Sequence, residues 1–409
     1  MSLRSALMLP PSRALLACSV AMTMFMGAGC GADDEGVSPS DPADAAAPEA
    51  SQPKPDTGAP PADASGDEGN VSVPDADAEG GKPPVSDSGD AEGGAPKPAW
   101  HTPLVLPNSG SDTADPHCIL VDGTWYLYPT SSQKDLDVWT STDLVEWTYR
   151  GVAWQPTVGT WNDVTNTGDF GAWAPSVHKG DDGAFYMYYT AGARVGVARS
   201  ATPLGPFVEE LDHPLLGDGH GGVGDGVQVG SSSTDLLNYQ EFSIDAFVLR
   251  TSQGKRFLYA TMYVPMSVIA VWPMTSMTEL GAATPTVIGG PNFAWESAIM
   301  EGPFVVERNG RFILTYSGNA FATTAYALGA AVSDDPMGPF TKDVGNPFFA
   351  SNDGLGIWGP GHHSFVDDGS GGTLMFYHAK GSPNDGADRH VRIAPVVFAD
   401  APPVTVLYP

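Results

Sequence analysis

Cysteine, basic residues and long apolar runs are all scarce in this sequence. Its 409 residues include three cysteines, Cys18, Cys30 and Cys118, from which neither a disulfide framework nor a CxxC zinc site can be built. No run of 18 or more apolar residues occurs, so no membrane-spanning helix is predicted. The 19 Lys and Arg residues against 48 Asp and Glu leave a formal charge of −29, which disfavours nucleic acid and anionic membrane surfaces as partners.

The first thirty residues have the pattern of an export signal. Arg4 and Arg13 form a weak basic region, and residues 14–26 form a short apolar core. The small residues before Cys30 resemble a bacterial lipobox, although Gly27 stands where leucine is usual. We therefore expect lipidation of Cys30 and an anchor that does not cross the membrane. The alternative is an ordinary cleaved signal peptide and a soluble secreted protein.

Residues 31–98 are predicted to be a disordered linker. They contain no Phe, Trp, Tyr, Leu, Ile or Met, and they carry 16 acidic residues against 3 basic ones. Such a segment cannot bury enough apolar surface to offset the entropy lost on ordering its backbone. Its acidic residues and prolines favour an extended tether between the anchor and a folded domain.

The folded domain is predicted to span residues 99–409, where 39 of the 40 aromatic residues lie. A glycine turn followed by a short aromatic and β-branched run occurs five times in this region. The five copies begin at Asp122, Asp182, Gln253, Asn309 and Gly371, separated by 60, 71, 56 and 62 residues. Asp-Gly and Asn-Gly between strands are typical of tight hairpins.

A hairpin repeated at nearly constant spacing in a chain without helical periodicity predicts an all-β fold of repeated blades around an axis. Five units of about 60 residues account for the domain, so we predict a five-bladed β-propeller. A β-sandwich whose turns are alike by chance is the alternative.

Three acidic residues stand in apolar runs that lead into copies of the hairpin. They are Asp115 in the first unit, Asp245 in the third and Glu301 in the fourth. A carboxylate inside a β-run is costly to bury unless it is paired or functional. Because the inner strands of a propeller converge on the axis, acids at equivalent places in three blades can meet there. Two carboxyl groups flanking a bond are the arrangement that glycoside hydrolysis requires.

The sequence resembles glycoside hydrolase family 43, a family of five-bladed propellers that includes arabinanases, arabinofuranosidases and β-xylosidases. The resemblance rests on several motifs in order and covers residues 101–409. The motifs are Asp115-Pro116, Trp173-Ala174-Pro175, Glu301-Gly302-Pro303, Gly361-His362-His363-Ser364 and the two segments Pro203-Leu204-Gly205-Pro206-Phe207 and Pro336-Met337-Gly338-Pro339-Phe340.

The resemblance implies a role for each acid. Asp115 corresponds to the general base that activates water, Glu301 to the general acid, and Asp245 to a third acid that tunes the donor. It also implies inversion at the anomeric carbon, with the carboxyl groups of Asp115 and Glu301 about 6.5–9.5 Å apart. A like charge near the donor raises the donor's pKa.

The resemblance also implies residues that bind metal or sugar. His362 corresponds to a histidine that faces a metal ion, often calcium, in the axial channel; a hydrogen-bonded histidine without metal is the alternative, since calcium prefers oxygen ligands. Arg389 corresponds to an arginine that reaches substrate hydroxyls or the acid, with Arg392 as its rival. Trp173 and Phe304 are candidates for stacking on sugar, against core packing as the alternative.

The sequence departs from common family forms at three positions near the predicted site. Ser176, Ala246 and Phe304 stand where an acid, proline and histidine are frequent, respectively. None of these changes removes a predicted catalytic acid, but they leave the sugar open. We expect a monomeric enzyme on arabinose- or xylose-containing plant glycans, endo- or exo-acting. A non-catalytic carbohydrate-binding propeller is the main alternative, and a surface scaffold without a sugar ligand is the third.

Overall fold

The computed structural model describes residues 102–407 apart from 133, 165–170, 218–242, 265, 283–285, 385 and 387. The predicted signal with Cys30 and the predicted linker lie outside the described residues. Within them, no helix is long and apolar enough to cross a membrane. The described residues form five antiparallel sheets of four strands each, and strands that follow one another in sequence are neighbours in each sheet.

We call the five sheets blades one to five in chain order. Blade one contains β1 (Ala114–Val121), β2 (Thr124–Thr130), β3 (Leu136–Ser141) and β4 (Thr148–Trp154). Blade two contains β5 (Ala172–Lys179), β6 (Phe185–Ala191), β7 (Arg194–Ser200) and β8 (Val208–Glu209). Blade three contains β9 (Ser243–Arg250), β10 (Arg256–Val264), β11 (Met266–Met274) and β12 (Thr286–Gly289).

The last two blades repeat this arrangement. Blade four contains β13 (Met300–Arg308), β14 (Arg311–Gly318), β15 (Ala327–Ser333) and β16 (Thr341–Lys342). Blade five contains β17 (Trp358–Asp367), β18 (Thr373–Lys380), β19 (Arg389–Phe398) and β20 (Val404–Val406). Two short 3-10 turns, Ala294–Glu296 and Asp353–Leu355, precede the first strands of blades four and five.

The first strands of the blades line the axis. Each contacts the first strand of the next blade, and β17 contacts β1, so the five strands form a closed ring. Closure is reinforced because the segment before β1 runs along β19, where the Leu104 amide donates to the Val391 carbonyl and the Thr113 amide to the Arg389 carbonyl. The predicted five-bladed β-propeller is confirmed.

All five predicted hairpins connect the first and second strands of a blade. The tyrosine in each hairpin copy is buried: Tyr128, Tyr188, Tyr259, Tyr316 and Tyr377. The first three donate their hydroxyl groups to a backbone carbonyl in the following blade, that of Pro203, Met277 and Pro336 respectively. The repeated tyrosine therefore fills the core with its ring and ties neighbouring blades together with its polar end.

Candidate active site

Every inner strand carries a left-handed residue at a shared position beside a shift in strand register, and β17 has a second one, Gly359 (φ 54°), nearer its start. The five residues at the shared position are Asp115 (φ 47°), Ala174 (φ 49°), Asp245 (φ 57°), Gly302 (φ 59°) and His362 (φ 40°). A bulge re-aims a side chain, and left-handed backbone in a residue other than glycine costs of order 1–3 kcal/mol. Strained positions repeated around one axis mark the end of the channel where the predicted acids lie.

A hydrogen bond repeats between neighbouring blades at these positions. The backbone N–H of the left-handed residue donates to a side chain on the second strand of the preceding blade. The acceptors are Thr130 for Ala174, Thr190 for Asp245, Ser317 for His362 and His378 Nδ1 for Asp115. Between blades three and four, Asp245 Oδ2 accepts from the Gly302 N–H instead, at 3.1 Å. This exchange anchors the Asp245 carboxyl group beside Glu301.

The Asp115 carboxylate lies among hydrogen-bond donors and cations. Its Oδ2 accepts from the Thr130 hydroxyl at 2.8 Å, while its Oδ1 lies 3.2 Å from His362 Nδ1 and 3.5 Å from Arg389 Nη1. Burial alone would raise the pKa of Asp115, but His362 and Arg389 outweigh it and hold this pKa well below its usual range. Asp115 is therefore ionised at any pH near neutral, as a general base must be.

Asp245 has the opposite electrostatic environment. It is buried, and its Oδ2 lies 4.0 Å from His362 Nδ1. Burial first, and then the negative charges of Glu301 and Asp115, raise the pKa of Asp245 well above its ordinary value. The pKa of Asp115 is thus lowered while that of Asp245 is raised. Carboxyl groups whose pKa values are shifted in opposite directions are typical of catalytic sites that use acid and base together.

Glu301 lies one residue before the left-handed position of its blade. In the β13–β14 pairing Glu301 stands opposite Ser317. The residues in the same register position of blades one and three are Ala114, opposite Thr130, and Ile244, opposite Thr261. Each of these directly precedes a left-handed aspartate. The prediction that all three acids occupy equivalent places is therefore wrong for Glu301, because Gly302 takes the left-handed conformation in blade four. Glu301 is buried, and its Oε1 accepts a hydrogen bond of 2.7 Å from the Tyr326 hydroxyl.

The predicted sugar-binding residues lie at different depths. Trp173 is partly exposed on β5, opposite Thr190, at the position that Glu301 holds in blade four. Phe304 is 8% exposed and packs against Phe247, with ring centroids 4.1 Å apart. This placement favours core packing for Phe304, while Trp173 keeps an accessible face.

The two candidate arginines have different partners. Arg389 donates to both carboxylate oxygens of Asp112, at 2.8 and 3.1 Å, and approaches Asp115. Its guanidinium group also lies over the ring of Phe321, 4.8 Å from the centroid. Arg392 is buried and donates to the carbonyl of Lys380 at 3.4 Å. Arg389 is therefore the arginine that contacts a predicted catalytic acid.

The side chains around His362 do not make a calcium shell by themselves. His362 directs Nδ1 toward Asp115, and within the described residues no group of three or more His, Cys, Asp and Glu side chains is arranged to hold a metal. Calcium takes six to eight oxygen ligands, so water would have to supply most of them. The calcium prediction stays a prediction, and no step of the chemistry is assigned to a metal.

Several residues of the site were not predicted from the sequence. Tyr326 contacts Glu301, and His378 accepts from the backbone of Asp115. Burial lowers the pKa of His378 to about 4, so its neutral ring can accept that hydrogen bond. A Thr or Ser follows each of the first four hairpin copies, as Thr130 does. This repeat could have indicated the hydrogen bonds between neighbouring blades.

Fold and site define the protein as an O-glycosyl hydrolase, and the comparisons with known proteins give its family. The model of glycosyl hydrolases family 43 matches residues 107–403, so the chain belongs to that family. A solved thermostable family-43 glycoside hydrolase superposes with a TM-score of 0.64 at 29% identity, over 76% of this chain and 96% of that one.

Two curated relatives illustrate the range of activities named in the comparison. A β-D-galactofuranosidase of Aspergillus niger is 26% identical over 64% of this chain and 73% of its own length. An extracellular exo-α-(1→5)-L-arabinofuranosidase of Streptomyces chartreusis is 30% identical over 70% of this chain and 84% of its own. Among the relatives compared, the chain spans between 45% and 84% of the relative's length.

Proposed function

We propose that this protein is an exported, inverting glycoside hydrolase that cleaves arabinose- or xylose-containing plant polysaccharides or their oligosaccharides. The observation that carries the proposal is the meeting of three buried carboxyl groups in unlike environments at one end of the axial channel. Asp115 is held ionised by His362 and Arg389, whereas Asp245 is driven toward its neutral form. Glu301 lies next to the residue that Asp245 anchors.

In the proposed reaction Asp115 takes a proton from water as the water attacks the anomeric carbon. Glu301 gives its proton to the glycosidic oxygen, so the departing sugar leaves as an alcohol. Asp245 holds the backbone beside Glu301 through the Gly302 amide. Because the charge of Glu301 raises the pKa of Asp245, the two carboxyl groups do not ionise together, and the pair keeps a proton for the reaction. Trp173 and Arg389 are the proposed contacts to sugar.

Hydrolysis by the purified protein tests this proposal. Substrates are arabinan, arabinoxylan, nitrophenyl α-L-arabinofuranoside and nitrophenyl β-D-xyloside, each with added calcium and with a chelator. Asp115→Asn and Glu301→Gln should each lower turnover by about 10²–10⁴-fold with an unchanged circular dichroism spectrum. Glu307→Gln, on the same strand as Glu301 but at the surface, is the matched control and should keep full activity.

The products decide the finer points. NMR identifies the anomer of the sugar that is released first. Its configuration should be opposite to that of the substrate, and an unchanged configuration would contradict the assignment of Asp115 as base. Product lengths separate endo from exo cleavage. If no glycan is hydrolysed but one is retained in a pull-down, the protein is a carbohydrate-binding propeller instead.

We also propose that the protein is anchored to a bacterial membrane through lipidated Cys30. Support comes from the small residues before Cys30 and from the Streptomyces relative, whose name describes an extracellular enzyme. Metabolic labelling with an alkynyl fatty acid should mark the protein, and Cys30→Ser should abolish the label. Equal release of unlabelled protein into the medium from both forms would favour the soluble secreted alternative.

A further inference from the structure

Tyr326 is buried against the predicted general acid and is not itself accessible to substrate. Its side chain is 1% exposed, and its hydroxyl donates to Glu301 Oε1 at 2.7 Å. The ring lies parallel to that of His378, with centroids 5.7 Å apart and an interplanar angle of 6°. His378 in turn accepts from the backbone of Asp115, so Tyr326 is packed between the predicted acid and base.

Two hydrogen bonds next to the Tyr326 ring have a defined direction. The backbone N–H of His362, which can only donate, gives its proton to Ser317 Oγ at 2.8 Å. The Tyr326 O–H donates to Glu301 Oε1. Ser317 and Tyr326 thus hold the backbone of His362 and the side chain of Glu301, which belong to the two neighbouring inner strands β17 and β13.

Space for the Tyr326 ring depends on a glycine in the next blade. A Cβ atom on Gly361 would lie 2.0 Å from Cε1 of Tyr326, so this ring position depends on glycine there. Burial, and then the charge of Glu301, raise the pKa of Tyr326 well above its ordinary value, so the phenol keeps the proton it donates.

We propose that Tyr326 is a positioning residue that determines which oxygen of Glu301 carries the transferable proton. Because Oε1 accepts from Tyr326, the acidic proton of Glu301 resides on Oε2. In the reaction that proton moves to the glycosidic oxygen, the bond between this oxygen and the anomeric carbon breaks, and the oxygen keeps the electron pair. Glu301 is left as a carboxylate, which the Tyr326 hydrogen bond stabilises. The proposal rests on the proposed role of Glu301 as acid.

The test is Tyr326→Phe, assayed on aryl glycosides whose leaving groups differ. A phenyl glycoside needs its oxygen protonated on departure, whereas a dinitrophenyl glycoside leaves without help. The probes are the phenyl and dinitrophenyl α-L-arabinofuranosides and β-D-xylosides. Loss of one hydrogen bond to a group that becomes charged should lower kcat about tenfold on the phenyl glycoside and less than about twofold on the dinitrophenyl glycoside, with KM unchanged.

Tyr316→Phe is the matched control. Tyr316 is also buried in blade four and also donates to a glutamate, Glu296 Oε1 at 2.6 Å, which is not one of the three acids. Removal of the Tyr316 hydroxyl should change kcat by the same factor, or not at all, for the phenyl and the dinitrophenyl glycosides. Tyr326→Leu is a second variant for the case in which Tyr326→Phe does not fold; it also removes the hydroxyl that donates to Glu301 and should show the same leaving-group dependence.

The outcomes separate this proposal from the one on which it rests. If Glu301→Gln shows no dependence on the leaving group, Glu301 is not the acid and the proposed function is wrong in that role. If Glu301→Gln shows the dependence but Tyr326→Phe slows both glycosides equally, Glu301 is the acid and the role given to Tyr326 is refuted.

Discussion

Replacing Arg389 by methionine should both destabilise the propeller and alter the base. The Arg389 side chain is 12% exposed and lies at the start of β19, where the last blade meets the segment before β1. Its guanidinium group pairs with Asp112 at 2.8 Å and with Asp115 at 3.5 Å. Methionine keeps much of the side-chain volume but leaves two carboxylates without their cation.

The stability loss follows from the burial of these partners. Removing one member of a buried ion pair costs about 3–5 kcal/mol, and the 35% exposure of Asp112 favours the lower end, about 3 kcal/mol. In a domain of this size that corresponds to a fall in Tm of about 5 °C. Arg199→Met is the control, since Arg199 and Asp182 are 40% and 43% exposed and a surface pair of this kind contributes little to stability.

The pH dependence has a definite sign. Arg389 helps to keep the pKa of Asp115 low, so its removal raises that pKa. A base acts only when ionised, and the acidic limb of kcat/KM should therefore move to higher pH. The stability that Asp115 gains from its lowered pKa is present above the unfolded value near 4 and is lost only as pH falls through the folded value.

Urea unfolding followed by tryptophan fluorescence, and kcat/KM between pH 4 and 8, measure both effects. If Arg389→Met unfolds at the same urea concentration as the parent, as Arg199→Met should, the guanidinium group of Arg389 does not stabilise the ring closure. The expected result is an acidic limb that reaches this pH range in Arg389→Met but not in the parent, and identical profiles would contradict the predicted rise in the pKa of Asp115.

Two further predictions concern the core around the axis. The Thr261 hydroxyl is buried and has no hydrogen-bond partner among the described residues, so Thr261→Val should leave the free energy of unfolding unchanged or raise it by up to about 1 kcal/mol. Thr190→Val instead leaves the Asp245 N–H without its acceptor and should lower the free energy of unfolding by about 1–3 kcal/mol. Both values are measured in the same urea titration. Phe304→Ala should cost about 3–5 kcal/mol with KM unchanged, and a large rise in KM with little loss of stability would instead identify Phe304 as a sugar-stacking residue.

The fold was predictable because its signals are local. A glycine turn followed by an aromatic run specifies one hairpin wherever it occurs, and five such hairpins imply five blades. Asp115 and Asp245 were predictable because an acid in an apolar strand is unusual, and the family resemblance gave them roles. The tyrosine in each hairpin copy also marks a buried position, as in Tyr128 and Tyr188.

The remaining parts of the site depend on contacts that no short segment encodes. Tyr326 reaches Glu301 only because Gly361, on the next blade, leaves room for its ring. The left-handed residues sit at bulges whose position in a strand is not readable from periodicity. Proline follows three of them, after Asp115, Ala174 and Gly302, and is the one local hint.

The exchange of hydrogen-bond partners between blades three and four explains why the acids are staggered. In the other blades a side chain on the second strand accepts the N–H of the left-handed residue, but here the Asp245 carboxyl group does so. A Cβ at Gly302 would lie 3.2 Å from the His362 ring, and its φ of 59° favours glycine, so a side chain at this position would be strained. The fourth blade carries its acid one residue earlier, as Glu301. The hydrogen bond from the Gly302 N–H to Asp245 Oδ2 therefore holds Glu301, the proposed proton donor, close to Asp245.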